Sequence, residues 1–409
     1  MIFYFQLFQY FTSKKIFLMN ELAIISSLLD NDFYKFTMQN AVIKLFPLAK
    51  ARYEFINRGK HFFPGNFVDL LKKNLDKMAN LKLSNEERIF LEKNCPYLDS
   101  KYLDFLDQYQ YNPKEVNVFQ KGKNIQMYIE GLWSRTILWE VPLMAIISEL
   151  YYQLTGAKRF SDKKIIHLTR KKLEKYKRLN VKFGEYGTRR RFSYQIHKLV
   201  LEVLIREGKT FFMGSSNVHL SHIFSIKPIG THGHEWIMFH AAKYGFNIAD
   251  KIAMKNWLNI YGKNLGIALS DTYTSPIFFK NFDKKLANLF EGIRHDSGDP
   301  LLFVKETINH YQKLKINPLQ KKIIFSDNLN PCKVARISSF CKNKINPFFG
   351  IGTNFTNDVG LPSMNIVIKM VKAFPKKKWT SVVKLSNVKE KSTGKKNTIF
   401  LAKKILHIS

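Results

Sequence analysis

Side chains that could do chemistry cluster at residues 294–299, where Arg294 stands close to Asp296 and to a second aspartate. Carboxylates at this spacing suit ribose hydroxyls or a hydrated Mg²⁺ ion. The same pattern also fits a charged turn in which Asp296 caps a helix. Asp271 and Asp327 follow other apolar segments, and acids that converge from several strands are harder to explain as turns.

A second candidate is the loop at 231–235, which contains His232, His234 and Glu235. Histidines two positions apart are poor zinc ligands on a helix, and no cysteine lies nearby. A histidine beside a carboxylate can act as a nucleophile or as a general base. The alternative is a buried histidine that is hydrogen-bonded within a turn, and the residues alone leave these possibilities open.

Two further loops could bind phosphate. Residues 187–191 place three consecutive arginines after a glycine turn, and arginine makes bidentate contacts with phosphate oxygens. A surface patch of salt bridges is the alternative. Residues 350–353 offer backbone N–H groups and a hydroxyl to an anion, although tight turns use the same Gly-x-Gly pattern.

These loops all follow short apolar segments in the region 175–372. Each segment leads into a polar, glycine-containing loop and then into a stretch with helical spacing, and the pattern recurs about seven times. Strands that alternate with helices form a parallel sheet, and this number of units favours a closed α/β barrel. The reactive side chains then share the C-terminal face, where barrel enzymes build their active sites. Residues 364–371 are predicted as a further strand of this region.

The rest of the chain is predicted to form three other regions. Residues 19–174 alternate helical and extended patches, which predicts an N-terminal α+β domain. Residues 1–18 lack the charge order of a secretory signal. They are interpreted as a dispensable extension or a mis-assigned start, with a surface anchor as the alternative. The Lys-rich residues 373–409 are predicted to contain one strand at 381–385, then polar loop, and to pack partly on the N-terminal domain.

The composition excludes several classes of protein. The 409 residues are 45% apolar and 24% charged, which is typical of a globular chain, and no apolar run is long enough to span a membrane. The three cysteines lack metal-binding or disulfide patterns, which predicts a reducing cytoplasm. The formal net charge is +34. The lysines are dispersed, so the charge indicates a solvated surface whose field attracts polyanionic small substrates.

Eight segments together resemble the nicotinate phosphoribosyltransferase family, in its shorter bacterial and fungal form. Each segment alone is unspecific, but all eight occur in the family's order and spacing, and the resemblance covers residues 28–386. The segments are 28–39, 137–142, 187–192, 214–217, 230–236, 294–300, 325–328 and 349–353.

The resemblance implies an irregular TIM-like α/β barrel of a type II phosphoribosyltransferase plus an N-terminal α+β domain. It also implies that nicotinate, 5-phosphoribosyl 1-pyrophosphate, ATP and water give nicotinate mononucleotide, pyrophosphate, ADP and phosphate. This reaction brings nicotinate into NAD biosynthesis. ATP is then a co-substrate, and Mg²⁺ binds through the substrate phosphates, with no side chain assigned as its ligand. A cytoplasmic homodimer without nucleic-acid or membrane partners is expected.

Residue by residue, the resemblance implies that ATP phosphorylates His234 and that Asp296 and Asp327 lie near the ribose. Tyr34 is expected to stack on the pyridine ring, with a position across the dimer considered as well. His232 lies outside the family pattern and is interpreted as a turn residue, and no role is assigned to the chain after 386. The remaining implied contacts are with nicotinate for Thr231, with nicotinate or pyrophosphate for Arg294, with the diphosphate for Arg189 and Arg190, and with the 5′-phosphate for Gly352 and Thr353.

Other functions compete with this interpretation. The sibling activity on nicotinamide would favour an acidic acceptor for the amide, but residues 214–217 offer none, and the cationic surroundings favour a carboxylate substrate. A nucleic-acid-binding protein would show one contiguous basic face with aromatic platforms, which the dispersed lysines do not favour. A decayed, inactive enzyme is disfavoured because every implied site residue is present.

Overall fold

The computed structural model of the chain describes residues 23–408, which form two β-sheets with helices packed around them. The segment 1–18, expected to be an extension or a mis-assigned start, lies outside the described residues. The strands are β1 Lys50–Asn57, β2 Val116–Lys121, β3 Asn124–Leu132, β4 Phe183–Glu185, β5 Phe212–Ser215, β6 Ile267–Leu269, β7 Gly292–His295, β8 Lys322–Phe325, β9 Asn346–Ile351, β10 Ile366–Phe374 and β11 Thr380–Ser381.

The helices connect these strands and cover the sheets. Those before β4 are α1 Phe33–Leu45, α2 Phe67–Met78, α3 Asn85–Asn94, α4 Ser100–Asp107, α5 Trp133–Thr136, α6 Glu140–Leu154 and α7 Asp162–Arg178. Those after β4 are α8 Tyr194–Gly208, α9 Val218–Ile223, α10 His234–Tyr244, α11 Ala249–Tyr261, α12 Ser275–Asn281, α13 Lys284–Leu289, α14 Pro300–Lys313, α15 Pro331–Cys341, α16 Thr353–Thr356 and α17 Lys396–Leu406. None of the helices in the described part of the chain has the length and apolar character needed to cross a membrane.

Six strands form the parallel sheet that the alternating pattern predicts. Their order is β5-β4-β9-β8-β7-β6, and each neighbouring pair is parallel. Each crossover carries at least one helix, as parallel pairing requires. Among the described residues no ladder joins β5 to β6, so the barrel is irregular and incompletely closed. The α/β barrel with a separate N-terminal α+β part is confirmed.

The second sheet is antiparallel and combines strands from both ends of the chain. Its order is β11-β10-β1-β3-β2, and β1 runs against β10 with Lys50 opposite Phe374 and Asn57 opposite Ile366. The predicted hairpin at 116–130 is present as β2 and β3. This sheet takes strands from residues 50–132 and from residues 366–381, so its two halves are far apart in sequence.

The prediction that residues 364–371 belong to the barrel is wrong. They form most of β10, which pairs with β1, so the predicted boundary at 372 falls inside a strand. The physical reason is visible in the burial pattern, where Ile366, Ile368 and Met370 are buried and the residues between them are partly exposed. Alternation of this kind is typical of an antiparallel strand with one covered face, whereas central barrel strands are buried on both faces.

The tail also differs from its prediction. The predicted strand at 381–385 is reduced to the two residues of β11, and the predicted polar loop contains the helix α17. Ala402 and Leu406 of α17 are buried, and the helix contacts the turn Phe246–Ile248 in the barrel half of the chain. The helix was not predicted because its few apolar residues, although helically spaced, lie among many lysines.

Candidate active site

One cavity of about 550 Å³ includes the carboxyl ends of the parallel strands and also reaches residues at their amino ends, such as Glu291 and Lys322. Residues of α1 and β10 complete its wall. Nine of the ten predicted site residues line it: Tyr34, Arg189, Arg190, Thr231, His234, Arg294, Asp296, Gly352 and Thr353. The tenth, Asp327, lies beside the cavity and accepts a hydrogen bond from Lys391 Nζ. The structure therefore brings the predicted residues together, and their contacts with substrates stay predictions.

His234 is the first residue of α10, directly after Gly233 at the N-cap. Its Nδ1 atom lies 3.0 Å from Thr272 Oγ1. Its Nε2 atom lies 3.0 Å from Asp296 Oδ2 and 2.8 Å from Lys384 Nζ. An acid and an ammonium group therefore compete for the same ring nitrogen.

The protonation state of His234 decides this competition. An ammonium group only donates hydrogen bonds, so the contact with Lys384 needs an unprotonated Nε2 and leaves the ring proton on Nδ1. A doubly protonated ring would instead donate from Nε2 to Asp296. Burial lowers the pKa of His234 to about 4, and the Lys384 cation adds to this effect, while Asp271 and Asp296 oppose it. The ring is neutral at pH 7, with a nucleophilic Nε2 lone pair.

Two aspartates lie beside the Nε2 atom of His234. Asp271 Oδ2 accepts one hydrogen bond from Ser297 Oγ and pairs with Lys384 at 3.0 Å, while its buried Oδ1 has no hydrogen-bond partner. Burial acts to raise the pKa of Asp296, but its contact with His234 and the Lys384 and Arg294 cations hold that pKa well below the ordinary value. Donor atoms of His234, Asp271 and Asp296 lie within 4.8 Å of one another. With the unpartnered Asp271 oxygen, they are suited to hold a divalent cation.

Tyr34 enters the cavity from α1 of the same chain. A Cβ on Gly233 would come within 3.0 Å of Tyr34 Cε2, so the glycine lets the ring pack closely. The Arg189 guanidinium lies 6.0 Å from the ring centroid. Arg294 Nη1 donates to the backbone oxygen of His232 at 3.0 Å, which holds a second guanidinium in the cavity wall. The ring of Tyr34 therefore lies beside the Arg189 guanidinium of the same chain.

The side chain of His232 is buried, and its ring packs against Trp257 with centroids 4.8 Å apart. Burial and the Arg294 cation lower the pKa of His232 to about 3. The ring of His232 is neutral, and its backbone carbonyl accepts a hydrogen bond from Arg294. Both observations agree with the interpretation of His232 as a turn residue.

The three consecutive arginines have different surroundings. Arg189 Nε lies 3.5 Å from Asp32 Oδ2, and Arg189 and Arg190 both line the cavity. Burial and the neighbouring Arg189 lower the pKa of Arg190 to about 10. Arg191 is fully buried and donates to both carboxylate oxygens of Asp30. Two of the three arginines are thus available to an anion.

The loop after β9 brings Gly352 and Thr353 to the cavity at the start of the short helix α16. A Cβ on Gly352 would lie 3.2 Å from the backbone oxygen of Tyr186. The glycine therefore allows the loops after β4 and β9 to approach each other closely, as at other backbone-lined anion sites.

Sequence reasoning missed three lysines in or beside the site. Lys384, within the strand predicted at 381–385, contacts His234. Lys391 lies in the tail after 386, to which no role is assigned, and contacts Asp327. Lys369 of β10 lines the cavity, and its side chain forms no hydrogen bond or close ion pair within residues 23–408, although Glu140 acts on it electrostatically. Nothing in the local sequence distinguished these three lysines as site residues, because lysine is common throughout the chain. The partly exposed position of Lys369 in the alternating strand was the one available hint.

Comparison with known proteins agrees with this geometry. Residues 29–148 match the model of the nicotinate phosphoribosyltransferase (NAPRTase) N-terminal domain, and residues 181–406 match that of the nicotinate phosphoribosyltransferase (NAPRTase) family. The chain is 56% identical to a nicotinate phosphoribosyltransferase of Chromohalobacter salexigens, over 94% of this chain and 99% of the relative. It is 46% identical to one from Desulforapulum autotrophicum, over 91% and 96% of the two chains.

Solved structures give the same result. A nicotinate phosphoribosyltransferase from Porphyromonas gingivalis superposes with a TM-score of 0.92 at 42% identity, covering 94% of this chain and all of that one. Another, from Vibrio cholerae, superposes with a TM-score of 0.88 at 32% identity and covers 94% of each chain. Fold and site define an α/β-barrel protein with a cation-lined cavity at the carboxyl ends of its strands. The chain belongs to the nicotinate phosphoribosyltransferase family.

Proposed function

We propose that this protein is an ATP-coupled nicotinate phosphoribosyltransferase. It converts nicotinate, 5-phosphoribosyl 1-pyrophosphate, ATP and water to nicotinate mononucleotide, pyrophosphate, ADP and phosphate, and so supplies NAD biosynthesis. One observation supports this proposal above the others. One cavity contains a neutral histidine, a carboxylate suited to bind ribose hydroxyls, two guanidinium groups and a glycine–threonine loop, and the chain is a member of this family.

Displacement of pyrophosphate from the ribosyl carbon passes through a state with oxocarbenium character, as in other glycosyl transfers. Such a state is stabilised by carboxylates near the ribose and by cations on the leaving group. We assign the first task to Asp296 and Asp327, and the second to Arg189 and Arg190. The loop 352–353 would hold the 5′-phosphate through backbone N–H groups and a hydroxyl.

The pyridine ring is assigned to the space beside Tyr34 and Thr231, and its carboxylate to Arg294. The acids near this space are already paired: Asp32 lies against Arg189, and Glu140 forms an ion pair with Lys35 at 2.7 Å. The unpaired charge in this part of the cavity is therefore positive, which favours nicotinate over nicotinamide.

Mg²⁺, when bound, would neutralise the charge of the pyrophosphate that leaves. Asp271 and Asp296 are the residues suited to hold it, because the buried Asp271 Oδ1 has no partner. The chain's own contribution is to hold His234 neutral and oriented by Thr272, ready to accept a phosphoryl group from ATP. Its phosphorylation would couple ATP cleavage to the transfer. The cytoplasmic homodimer stays a prediction.

The test is to incubate the purified protein with nicotinate, phosphoribosyl pyrophosphate and Mg²⁺, with and without ATP, and to measure the mononucleotide. Product should form and increase with ATP, and H234A should lose both the ATP stimulation and the incorporation of labelled phosphate. Labelled phosphate in H234A would contradict the phosphohistidine. Equal turnover of nicotinamide in a competition assay would contradict the substrate assignment.

A further inference from the structure

Lys384 belongs to the tail, yet its side chain lies inside the active site. The tail is fixed at this point by backbone hydrogen bonds: Leu385 N donates to Thr272 O at 2.8 Å, and Lys384 and Thr393 exchange two bonds. Only 7% of the Lys384 side chain is exposed. A buried lysine held this way loses the mobility and hydration that it would have on the surface.

The ammonium group of Lys384 contacts His234 Nε2, the nitrogen proposed to react. Its Nζ atom lies 2.8 Å from His234 Nε2, 3.0 Å from Asp271 Oδ2 and 4.0 Å from Asp296 Oδ2. Within residues 23–408, no other cation lies within hydrogen-bonding distance of Nε2. Arg294, another cation of the cavity wall, donates to the backbone oxygen of His232.

This position has a chemical consequence. A phosphoryl group on Nε2 would lie beside two carboxylates, and repulsion between these like charges would oppose the transfer. One buried ammonium group in contact with Nε2 offsets that repulsion and provides charge-assisted hydrogen bonds to phosphoryl oxygens. Before the transfer, the same ammonium group favours the neutral ring, because it donates to the Nε2 lone pair.

We propose that Lys384 is a catalytic residue for the phosphorylation of His234, donating a hydrogen bond to Nε2 before the transfer and binding the phosphoryl oxygens after it. This inference rests on the proposed ATP-coupled function. In the step, the Nε2 lone pair forms a bond to the γ-phosphorus of ATP, and the bond from that phosphorus to the β,γ-bridging oxygen breaks. ADP leaves with the electron pair. The Nδ1 proton stays in place, hydrogen-bonded to Thr272 Oγ1, and Lys384 moves from Nε2 to the transferred oxygens.

The experiment measures incorporation of γ-labelled phosphate from ATP into the full-length protein for the wild type, K384M, K384R and K395M. Methionine keeps the length of the lysine side chain without its charge. Lys395 is an exposed lysine of the same tail, so K395M is the matched control. Thermal unfolding of each variant reports whether it folds.

We expect K384M to label about 100-fold more slowly, the size of effect seen when one charge-stabilising donor is removed. K384R should recover part of the rate, and K395M should label as the wild type does.

The outcomes separate this inference from the proposed function. A labelled wild type with an equally labelled, folded K384M would overturn the role of Lys384 and leave the ATP-coupled function intact. An unlabelled wild type would overturn both. A slower K384M with no rescue by K384R would show a merely structural role and also overturn the inference.

Discussion

Asp30 and Arg191 form a fully buried bidentate ion pair, with both Nη–Oδ distances at 2.8 Å. It joins the residues before α1 to the loop after β4, and so connects the N-terminal part to the barrel. Arg191 is the third arginine of the triplet, and its burial separates its structural role from the cavity-facing positions of Arg189 and Arg190.

The first prediction is that D30N destabilises the protein by about 3–5 kcal/mol, because removal of one partner leaves a buried charge uncompensated. Burial acts to raise the pKa of Asp30, but Arg191 holds it below the ordinary value. The pair's contribution is therefore present above pH 4 and is lost as the pH falls further. Urea unfolding measures the change.

The control for this pair is D162N, which breaks the exposed ion pair between Arg159 and Asp162. Exposed pairs contribute no more than about 1 kcal/mol. Equal losses of unfolding free energy in D30N and D162N would contradict the importance of burial.

The second prediction concerns Glu149 of α6, which accepts a hydrogen bond from Tyr194 N at 2.9 Å. Burial raises its pKa to about 7, from an ordinary value of 4.5, despite the Arg191 cation. The folded state therefore binds this proton more tightly, and stability falls as the pH rises from about 4.5 to 7. At pH 8, E149Q should exceed the wild type in unfolding free energy by about 1–3 kcal/mol.

The check is chemical denaturation at pH 4 and at pH 8. At pH 4 both proteins carry a neutral side chain at this position, so they should be equally stable. Parallel stability curves across this range would show that Glu149 is ionised in the folded protein.

The third prediction is that G187A moves the arginine loop. A Cβ at this position would lie 2.1 Å from the Oγ1 atom of the buried Thr356, which donates to Gly187 O at 2.9 Å. Overpacking of this kind costs about 1–3 kcal/mol. Displacement of Arg189 should also raise the KM for phosphoribosyl pyrophosphate by at least about 10-fold. Steady-state kinetics measure this, and G65A, where a Cβ meets nothing within 4 Å, should leave KM unchanged.

The fourth prediction concerns Lys369, whose pKa is lowered to about 8, mainly by burial. Its ammonium group lines the cavity and interacts electrostatically with Glu140, but it forms no side-chain hydrogen bond or close ion pair in the described part of the chain. K369M should raise the KM of an anionic substrate by roughly 10-fold to 100-fold, the value of one charged hydrogen bond. Lys372 lies on the same strand outside the cavity, so K372M is the control. If K369M had an unchanged KM for nicotinate and for phosphoribosyl pyrophosphate, Lys369 would have no part in substrate binding.

Much of the candidate site could be predicted from the sequence, because parallel strands bring their carboxyl ends to one edge. His234, Asp296 and Thr353 each follow an apolar segment, and this local pattern was sufficient to place them together. The tautomer of His234 could not be predicted. It depends on Thr272 and on Lys384, which is 150 residues away.

The pairing of β10 could not be predicted for a related reason. Its alternating pattern was visible and indicated a strand, but nothing local identified β1 as its neighbour some 300 positions earlier. Lys384 and Lys391 differ from the other lysines of the tail only in what the fold places beside them.

The pairing of β1 with β10 has a consequence for synthesis on the ribosome. A growing chain exposes the edge of β1 until residues 366–374 emerge, because those residues supply the strand that covers it. Uncovered edges are sites of intermolecular association, so a product that stops before residue 366 would leave β1 open to such association. The same product would lack Lys384, which contacts His234 in the cavity.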